Sequence, residues 1–297
     1  MQKHATHRPD ITVFGEVLFD CFDKGTQTTQ VLGGAPFNIS WHLQALADQP
    51  RFISRVGDDE LGRTIIQHAQ NWGLDTRHIQ LDMKHPTGVV QVTLVDNEPH
   101  YQIREHQAYD YIETQYFQAE MLGGILYHGS LALRTNAAQH QFAKLVELAD
   151  WSIFLDVNLR APWWDKSCLE HWLKQARWIK LNIDELHQLG FNQHDLATEM
   201  RAFREYFQCE QLIVTLGAQG ASVLSDDGFI NQSPDPITEF VDTVGAGDAF
   251  TSVYLHGLMH QWPLRETLQK AQTFASKIIG IQGATPQDKA FYKNLID

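Results

Sequence analysis

The stretch Asp242-Thr243-Val244-Gly245-Ala246-Gly247-Asp248 sets a glycine turn directly ahead of Phe250, Val253, Tyr254 and Gly257, which recur at helical spacing. A glycine turn that opens a helix leaves backbone N–H groups without partners, and the helix dipole reinforces them. Such a turn suits a phosphate, or the negative charge that grows during phosphoryl transfer. Glycine matters because a side chain would obstruct the phosphate. Asp248, at the start of this helix, could take the proton of a hydroxyl attacking a γ-phosphate, or it could merely cap the helix. The residues alone leave both readings open. Taken singly, Gly33-Gly34 reads as a hinge, Asn182 with Glu185 as a helix cap, Thr215-Leu216-Gly217-Ala218-Gln219-Gly220 as a strand-end turn, and Gly283-Ala284 as a helix C-cap.

Elements must carry these residues to one place. Ile11-Thr12-Val13-Phe14-Gly15 reads as a buried strand that delivers Glu16 through Asp20 to a surface. From about residue 120 onward, apolar runs at 125–128, 152–156, 178–181 and 212–215 alternate with amphipathic stretches, the rhythm of βαβ units and a parallel sheet. In open α/β sheets ligands gather at the carboxyl ends of the strands. There this chain carries Asp156-Val157-Asn158-Leu159-Arg160, Asn182-Ile183-Asp184-Glu185 and Thr215 to Gly220. Two segments break the rhythm, about 18–33 and 86–111. In the second, Val90, Val92 and Leu94 alternate with Gln91 and Thr93 before the turn Asp96-Asn97-Glu98-Pro99. Both predict strands of a small extra sheet, read as a lid on a single domain spanning 1–297. A lid suits phosphoryl transfer, which must exclude water.

Composition narrows the class. The 297 residues are 43% hydrophobic and 20% charged, as in an ordinary packed enzyme, and the net charge of −13 repels nucleic acid and anionic membranes. Cys21, Cys168 and Cys209 are too widely spaced for a disulfide framework or a zinc site, and predict reduced thiols. The 15 histidines show no H-E-x-x-H or similar ligand spacing and are expected at the surface without a metal. Residues 1–8 lack the apolar core of a signal peptide, and no window is apolar enough to span a bilayer, so the expected location is cytoplasmic.

The longer string Asp242 to Phe250, DTVGAGDAF, resembles the signature of the ribokinase-like, or PfkB, family of carbohydrate kinases. Gly33-Gly34-Ala35-Pro36-Phe37-Asn38 resembles the family's di-glycine sugar motif, and Gly57-Asp58-Asp59-Glu60-Leu61-Gly62 its continuation. Asn182-x-x-Glu185, Thr215 to Gly220, and Gly283-Ala284 after a helix over 268–281 match further pieces in order, so the resemblance spans roughly 11–285. It implies a doubly wound, mostly parallel α/β sheet flanked by helices with a small β-sheet lid, ATP as co-substrate and Mg²⁺ as cofactor. A requirement for a monovalent cation such as K⁺ stays open. It further implies Asp248 as catalytic base, with the amides of Gly245, Ala246, Gly247 and Asp248 as an anion hole. Asp242 and Thr243 would lie beside the nucleotide phosphates. Asn182 and Glu185 would help to hold hydrated magnesium, with Glu185 acting through water. Thr215, Gly217 and Gly220 would contact the nucleotide, Gly283 and Ala284 the adenine.

Within the family the chain looks most like the bacterial fructokinase branch, on Gly15 to Asp20, the Ala-Pro of the di-glycine motif, Gly129-Ser130-Leu131-Ala132-Leu133 and Asp156 to Arg160. The implied sugar contacts are Asp20, Gly33, Gly34, Asn38, Arg104 and Arg160, and the implied reaction makes fructose 6-phosphate. The chain departs from that branch at His106-Gln107-Ala108-Tyr109-Asp110, where small residues are usual. A kinase for 2-keto-3-deoxygluconate or another sugar or nucleoside is the alternative within the family. A non-catalytic sugar or nucleotide sensor is the alternative outside it. Neither G-x-x-x-x-G-K-[ST] nor a strand leading into G-x-G-x-x-G is present, which argues against a Walker-type or dinucleotide fold. Trp163 and Trp164 read as packing rather than as a sugar platform. Lids of this family imply pairing of two chains into a homodimer.

Overall fold

The computed structural model describes residues 11–24, 27–95, 98–119, 122–192, 194–235, 240–293 and 295. The N-terminal stretch 1–8 and the turn residues Asp96 and Asn97 lie outside them.

A nine-stranded sheet forms the centre. Its strands are β1 (Ile11–Phe14), β4 (Arg51–Gly57), β5 (Ile79–Asp82), β8 (Gly124–Gly129), β9 (Trp151–Asp156), β10 (Trp178–Asn182), β11 (Gln211–Thr215), β12 (Ala221–Ser225) and β13 (Gly228–Gln232). They are ordered β13-β12-β11-β10-β9-β8-β1-β4-β5. Pairing is parallel from β11 through β5, while β12 and β13 fold back antiparallel at one edge. The runs at 11–14, 125–128 and 153–156 are buried on both faces and mostly apolar because both faces are covered. Val13, Tyr127, Phe154 and Ile213 pack into a core with α1 (Ala35–Ala45), α2 (Glu60–Trp72), α7 (Ala246–Met259) and α8 (Leu264–Ile279). Phe14, Leu126, Leu155 and Val214 pack into a second core with α3 (Asn136–Glu147), α4 (Lys166–Leu173), α5 (Ile183–Gln188) and α6 (Leu196–Phe207).

The four remaining strands, β2 (Leu18–Lys24), β3 (Gln27–Gly33), β6 (Gly88–Val95) and β7 (Glu98–Ile103), form a separate sheet in the order β3-β2-β6-β7. Leu18, Val90, Val92 and Ile103 anchor it on the second core beside Tyr109 and Leu131. The motif 57–62 joins the two sheets. Asp59 caps α2 by accepting from the Gly62 amide at 2.8 Å, and its other oxygen accepts from the Thr87 amide at 2.8 Å, just ahead of β6. A side chain at Gly62 would press within 2.1 Å of the Gly57 carbonyl.

The strand-end expectation needs correcting at 16–19. Glu16, Val17, Leu18 and Phe19 are buried, because the short link from β1 to β2 packs Val17 and Phe19 into the first core and Leu18 into the second; Asp20 alone among 16–20 is part-exposed. The histidines also need correcting. His42, His128 and His256 are buried. Burial holds His42 neutral with its pKa down to about 3, and His128 down to about 4. None of the three cysteines is in a disulfide, and Cys209 is buried with its thiol pushed up to about 12 by burial. Among the described residues no helix is long and apolar enough to cross a membrane.

Candidate active site

The carboxyl ends of β9, β10 and β11 lie side by side, with Asp156 opposite Lys180 and Asn182 opposite Thr215. The N-terminus of α7 meets them. Gly245 is its N-cap in a left-handed conformation, φ 81°, and a Cβ there would lie 2.3 Å from that of Ala284. Only glycine fits both demands. Asp242 fixes the same turn from the other side: its Oδ1 accepts from the Val244 amide at 3.0 Å and its Oδ2 from the Gly283 amide at 3.4 Å. Residues 242–245 and 283–284, distant in sequence, thus form one loop pair.

The first-turn amides of α7 have no intrahelical partner by construction. That of Ala246 is taken by the Thr243 carbonyl at 3.3 Å, so an incoming anion meets Gly247 and Asp248 first. Asn38, in the first turn of α1, donates from Nδ2 to Asp248 Oδ2 at 2.7 Å, bridging 210 residues. Gly34, φ 103°, lets α1 begin tight against β1's continuation, since a Cβ there would lie 2.8 Å from the Glu16 carbonyl. A Cβ at Gly33 would lie 3.2 Å from Asp20 Oδ2. The di-glycine segment therefore sits against both carboxyl-bearing residues.

Electrostatics distinguish the carboxyls. Burial raises Asp248 above the usual aspartate range, and the Asn38 amide and the charges of Lys180 and Arg160 pull it back only in part. Burial pushes Glu16 up to about 7, against the pull of its own backbone amide and of Arg160. Asp20 goes up to about 6 for the same reason, with Arg160 opposing. Arg160 is exposed, but its field reaches all three groups. A base that holds a proton more firmly than ordinary aspartate suits abstraction from a hydroxyl.

Asn182 and Glu185 form a reciprocal capping box at α5: the Glu185 amide donates to Asn182 Oδ1 and the Asn182 amide to Glu185 Oε2, each at 2.8 Å. Glu185 Oε1 accepts from the Leu159 amide at 2.6 Å. The helix-cap reading is thus real, and the same carboxylate ties down the loop that carries Arg160. Gly217 and Gly220 turn the chain between β11 and β12; a Cβ at Gly220 would run into the Gln232 carbonyl at 2.0 Å. Thr243 is exposed beside the loop.

Arg104 lies in the segment that follows β7. It is exposed just beyond the second sheet, and its backbone carbonyl accepts from Arg134 at 2.6 Å. Arg134, whose side chain is 1% exposed, was missed by sequence reasoning. It grips both oxygens of Asp110 at 2.7 Å and stacks over Trp163, 4.6 Å from its centroid. The departure at 106–110 is therefore a packed knot, with Asp110 paired and Tyr109 buried, and Trp163 is a packing residue. Lys180 was missed too. Its ammonium bonds both oxygens of Asp156 at 2.9 and 3.0 Å, and Thr251 of α7 donates to the same carboxylate at 3.1 Å. Burial alone would lower the lysine, but Asp156 outweighs it and holds it raised. A lone lysine inside an apolar strand gave no motif to find.

A mostly parallel sheet covered on both faces, a second small sheet, and a helix N-terminus that presents an aspartate beside free amides define a phosphotransferase scaffold. The family model of the pfkB family carbohydrate kinases matches residues 8–290, and the chain belongs to that family. A fructokinase of Salmonella typhimurium is 28% identical over 291 residues, covering 92% of this chain and 94% of that protein. A fructokinase of Escherichia coli is 30% identical over 262 residues, covering 84% of each. The crystal structure of aminoimidazole riboside kinase from Salmonella enterica, complexed with aminoimidazole riboside and an ATP analog, superposes with a TM-score of 0.79 at 25% identity, covering 96% of this chain and 99% of that one.

Proposed function

We propose that this carbohydrate kinase transfers the γ-phosphoryl group of ATP to a sugar hydroxyl, with fructose as acceptor and fructose 6-phosphate as product. The observation that carries the reading is the 2.7 Å bond from Asn38 to Asp248 at the mouth of α7, because it joins the sugar motif to the phosphoryl-transfer motif. The acceptor oxygen attacks the γ-phosphorus as its proton passes to Asp248, and the bond from that phosphorus to the bridging oxygen breaks to release ADP. The amides of Gly247 and Asp248, with those of Gly245 and Ala246 around them, stabilise the charge on the transferring group. Asn38 holds the carboxylate in line and, with Asp20, Gly33, Gly34 and Arg160, binds the sugar; Arg104 approaches from the second sheet as that sheet closes.

On the nucleotide side, Thr215, Gly217, Gly220, Asp242, Thr243, Gly283 and Ala284 line the path from phosphates to base. Each Glu185 oxygen already accepts one amide, which fits contact with Mg²⁺ through water rather than direct ligation. Bound there with the phosphates, Mg²⁺ would neutralise their charge. The second sheet acts as the lid, a homodimer pairs through it, and the protein works in the cytoplasm.

The fructokinase relatives favour fructose. The aminoimidazole riboside complex supports a second reading, a riboside acceptor, since the large residues at 106–110 depart from the fructokinase pattern. A coupled ADP-release screen across fructose, other free sugars, 2-keto-3-deoxygluconate and ribosides decides between them. Fructose should give the highest kcat/KM, and a riboside or sugar acid ahead of it would replace the fructose assignment. Release stimulated by nothing, with a sugar still raising thermal stability, would identify a sensor. Asp248→Ala should cut turnover at least about a hundredfold while nucleotide binding persists.

A further inference from the structure

The far end of α7 carries a second constellation that the kinase reaction does not use. His256 and His260 stand one turn apart and face Asp48, in the loop after α1. His256 Nδ1 lies 2.7 Å from Asp48 Oδ2 and His260 Nε2 lies 2.9 Å from Oδ1. One ligand atom from each of the three falls within 4.8 Å of the others. The spacing H-x-x-x-H was present in the sequence, contrary to the expectation that no histidines share ligand spacing; their third partner is 208 residues away from His256.

We infer that Asp48, His256 and His260 form a transition-metal site, with Zn²⁺ as the ion. Two imidazole nitrogens and one carboxylate oxygen are the donor set of a three-ligand zinc centre with a fourth position for water, whereas Mg²⁺ and Ca²⁺ want oxygen alone. Burial is graded to suit that geometry. The Asp48 and His256 side chains are 3% and 5% exposed, while His260 at 52% leaves an entry path and room for the water. Zn–N and Zn–O distances of about 2.0–2.1 Å place tetrahedral donors roughly 3.3 Å apart. The present separations of 2.7 and 2.9 Å run to the two different oxygens of Asp48 and need to widen by about half an ångström each, through a small turn of the Asp48 carboxylate for His256 and of the exposed ring for His260, with all three donors already within 4.8 Å.

Two further features point the same way. The backbone takes left-handed conformations at Ala47 (φ 67°) and Gln49 (φ 49°), on both sides of Asp48, and again at Gln261 (φ 55°), after His260. Ala47 and Gln261 directly follow the C-caps of α1 and α7, the usual place for a left-handed residue, so both helices end in turns beside Asp48 and His260. The cluster also sits at the carboxyl end of α7, where the helix dipole favours a cation. An ion there would clamp α1 to α7, the same two helices whose other ends hold Asn38 and Asp248.

The test uses the untagged full chain, freed of metal by chelator dialysis. Calorimetric titration with Zn²⁺ should show one equivalent bound, and Co²⁺ should give the visible absorbance of a tetrahedral site. At a hundredfold excess over Kd the thermal midpoint should rise by roughly 5 °C. His260→Ala and Asp48→Asn should lose the equivalent, the absorbance and the rise, and His260→Ala should keep wild-type Mg·ATP-dependent turnover. Absence of Zn²⁺ uptake by the wild type, or uptake that persists in His260→Ala, would overturn the assignment. Because His260→Ala removes a half-exposed ring, loss of folding will not obscure the result.

Discussion

Glu16 is a carboxyl that the fold confines and the reaction does not obviously need. It is 3% exposed, and its Oε2 has no hydrogen-bond partner among the described residues. Its pKa, up to about 7 from 4.5, means that the folded chain binds more protons than the unfolded chain between those values. The stabilising contribution is therefore complete below about pH 4.5 and disappears as the pH rises through about 7, a difference of about 3 kcal/mol at most. Glu16→Gln should flatten the dependence of stability on pH across this window and leave the variant more stable than the parent at pH 8. Urea midpoints measured from pH 5 to 8 would show this, and an unchanged slope would clear Glu16 of the effect. Asp248 gives the complementary prediction for activity. The Asn38 bond lowers a pKa that burial raises. Asn38→Ala should accordingly shift the acid limb of kcat/KM to higher pH, because a harder-to-ionise base is protonated sooner. An acid limb that stays in place, with only the rate reduced, would mean that the limb reports another group, with Asp20 the first candidate.

Among the elements, α7 is fixed at its N-cap by Ala284 against Gly245 and in its second turn by Thr251 against the Lys180–Asp156 pair. Gly245→Ala should cost about 1–3 kcal/mol of stability and lower kcat, since the new methyl meets Ala284 and φ stays left-handed. Lys180→Met should cost more, about 3–5 kcal/mol, because it strands a buried Asp156 carboxylate. The double variant with Asp156→Leu should recover much of that loss in thermal melts, whereas additive losses would exclude a simple ion pair. These elements also show what a sequence reveals. Strands β1, β8, β9, β10 and β11 were legible because sheet burial on both faces makes mostly apolar runs, broken in β10 only by Lys180. β4 was not, because Arg51, Ser54 and Arg55 interrupt its run although the sheet buries Arg51 and Ser54. β12 and β13 fold back antiparallel without an intervening helix and so break the βαβ rhythm. The residues at 242–248 taken alone left a helix cap and a phosphate site equally open, and only the longer string with its distant partner motifs made the family legible. Arg134, Lys180 and Asp48 were not legible, since each acquires meaning only from a partner brought close by the fold.

At the scale of the molecule, two cores on opposite faces of one sheet leave its carboxyl edge open, and the second sheet stands on one of those cores. Leu18, Val90, Val92 and Ile103 are its footing, and the Arg134–Asp110 pair and the side-chain Oε1 of Gln107, which accepts from the Val89 amide at 3.2 Å, brace its base. If that sheet closes over the sugar, its footing governs water exclusion more than global stability. Val92→Ala removes two methyl groups from the footing and should cost about 1–2 kcal/mol, a modest part of the total. Its functional signature should be larger and of a specific kind. A loosened lid admits water to the γ-phosphate, so some ATP is hydrolysed without an acceptor. The ratio of ADP released to phosphorylated sugar, near one in the parent, should rise above one in the variant, and KM for the sugar should rise with it while nucleotide affinity holds. Both products can be quantified in the same reaction by chromatography. A thermal midpoint lowered with the ratio still at one would assign the second sheet to the scaffold and place the exclusion of water in the loops at the carboxyl edge instead.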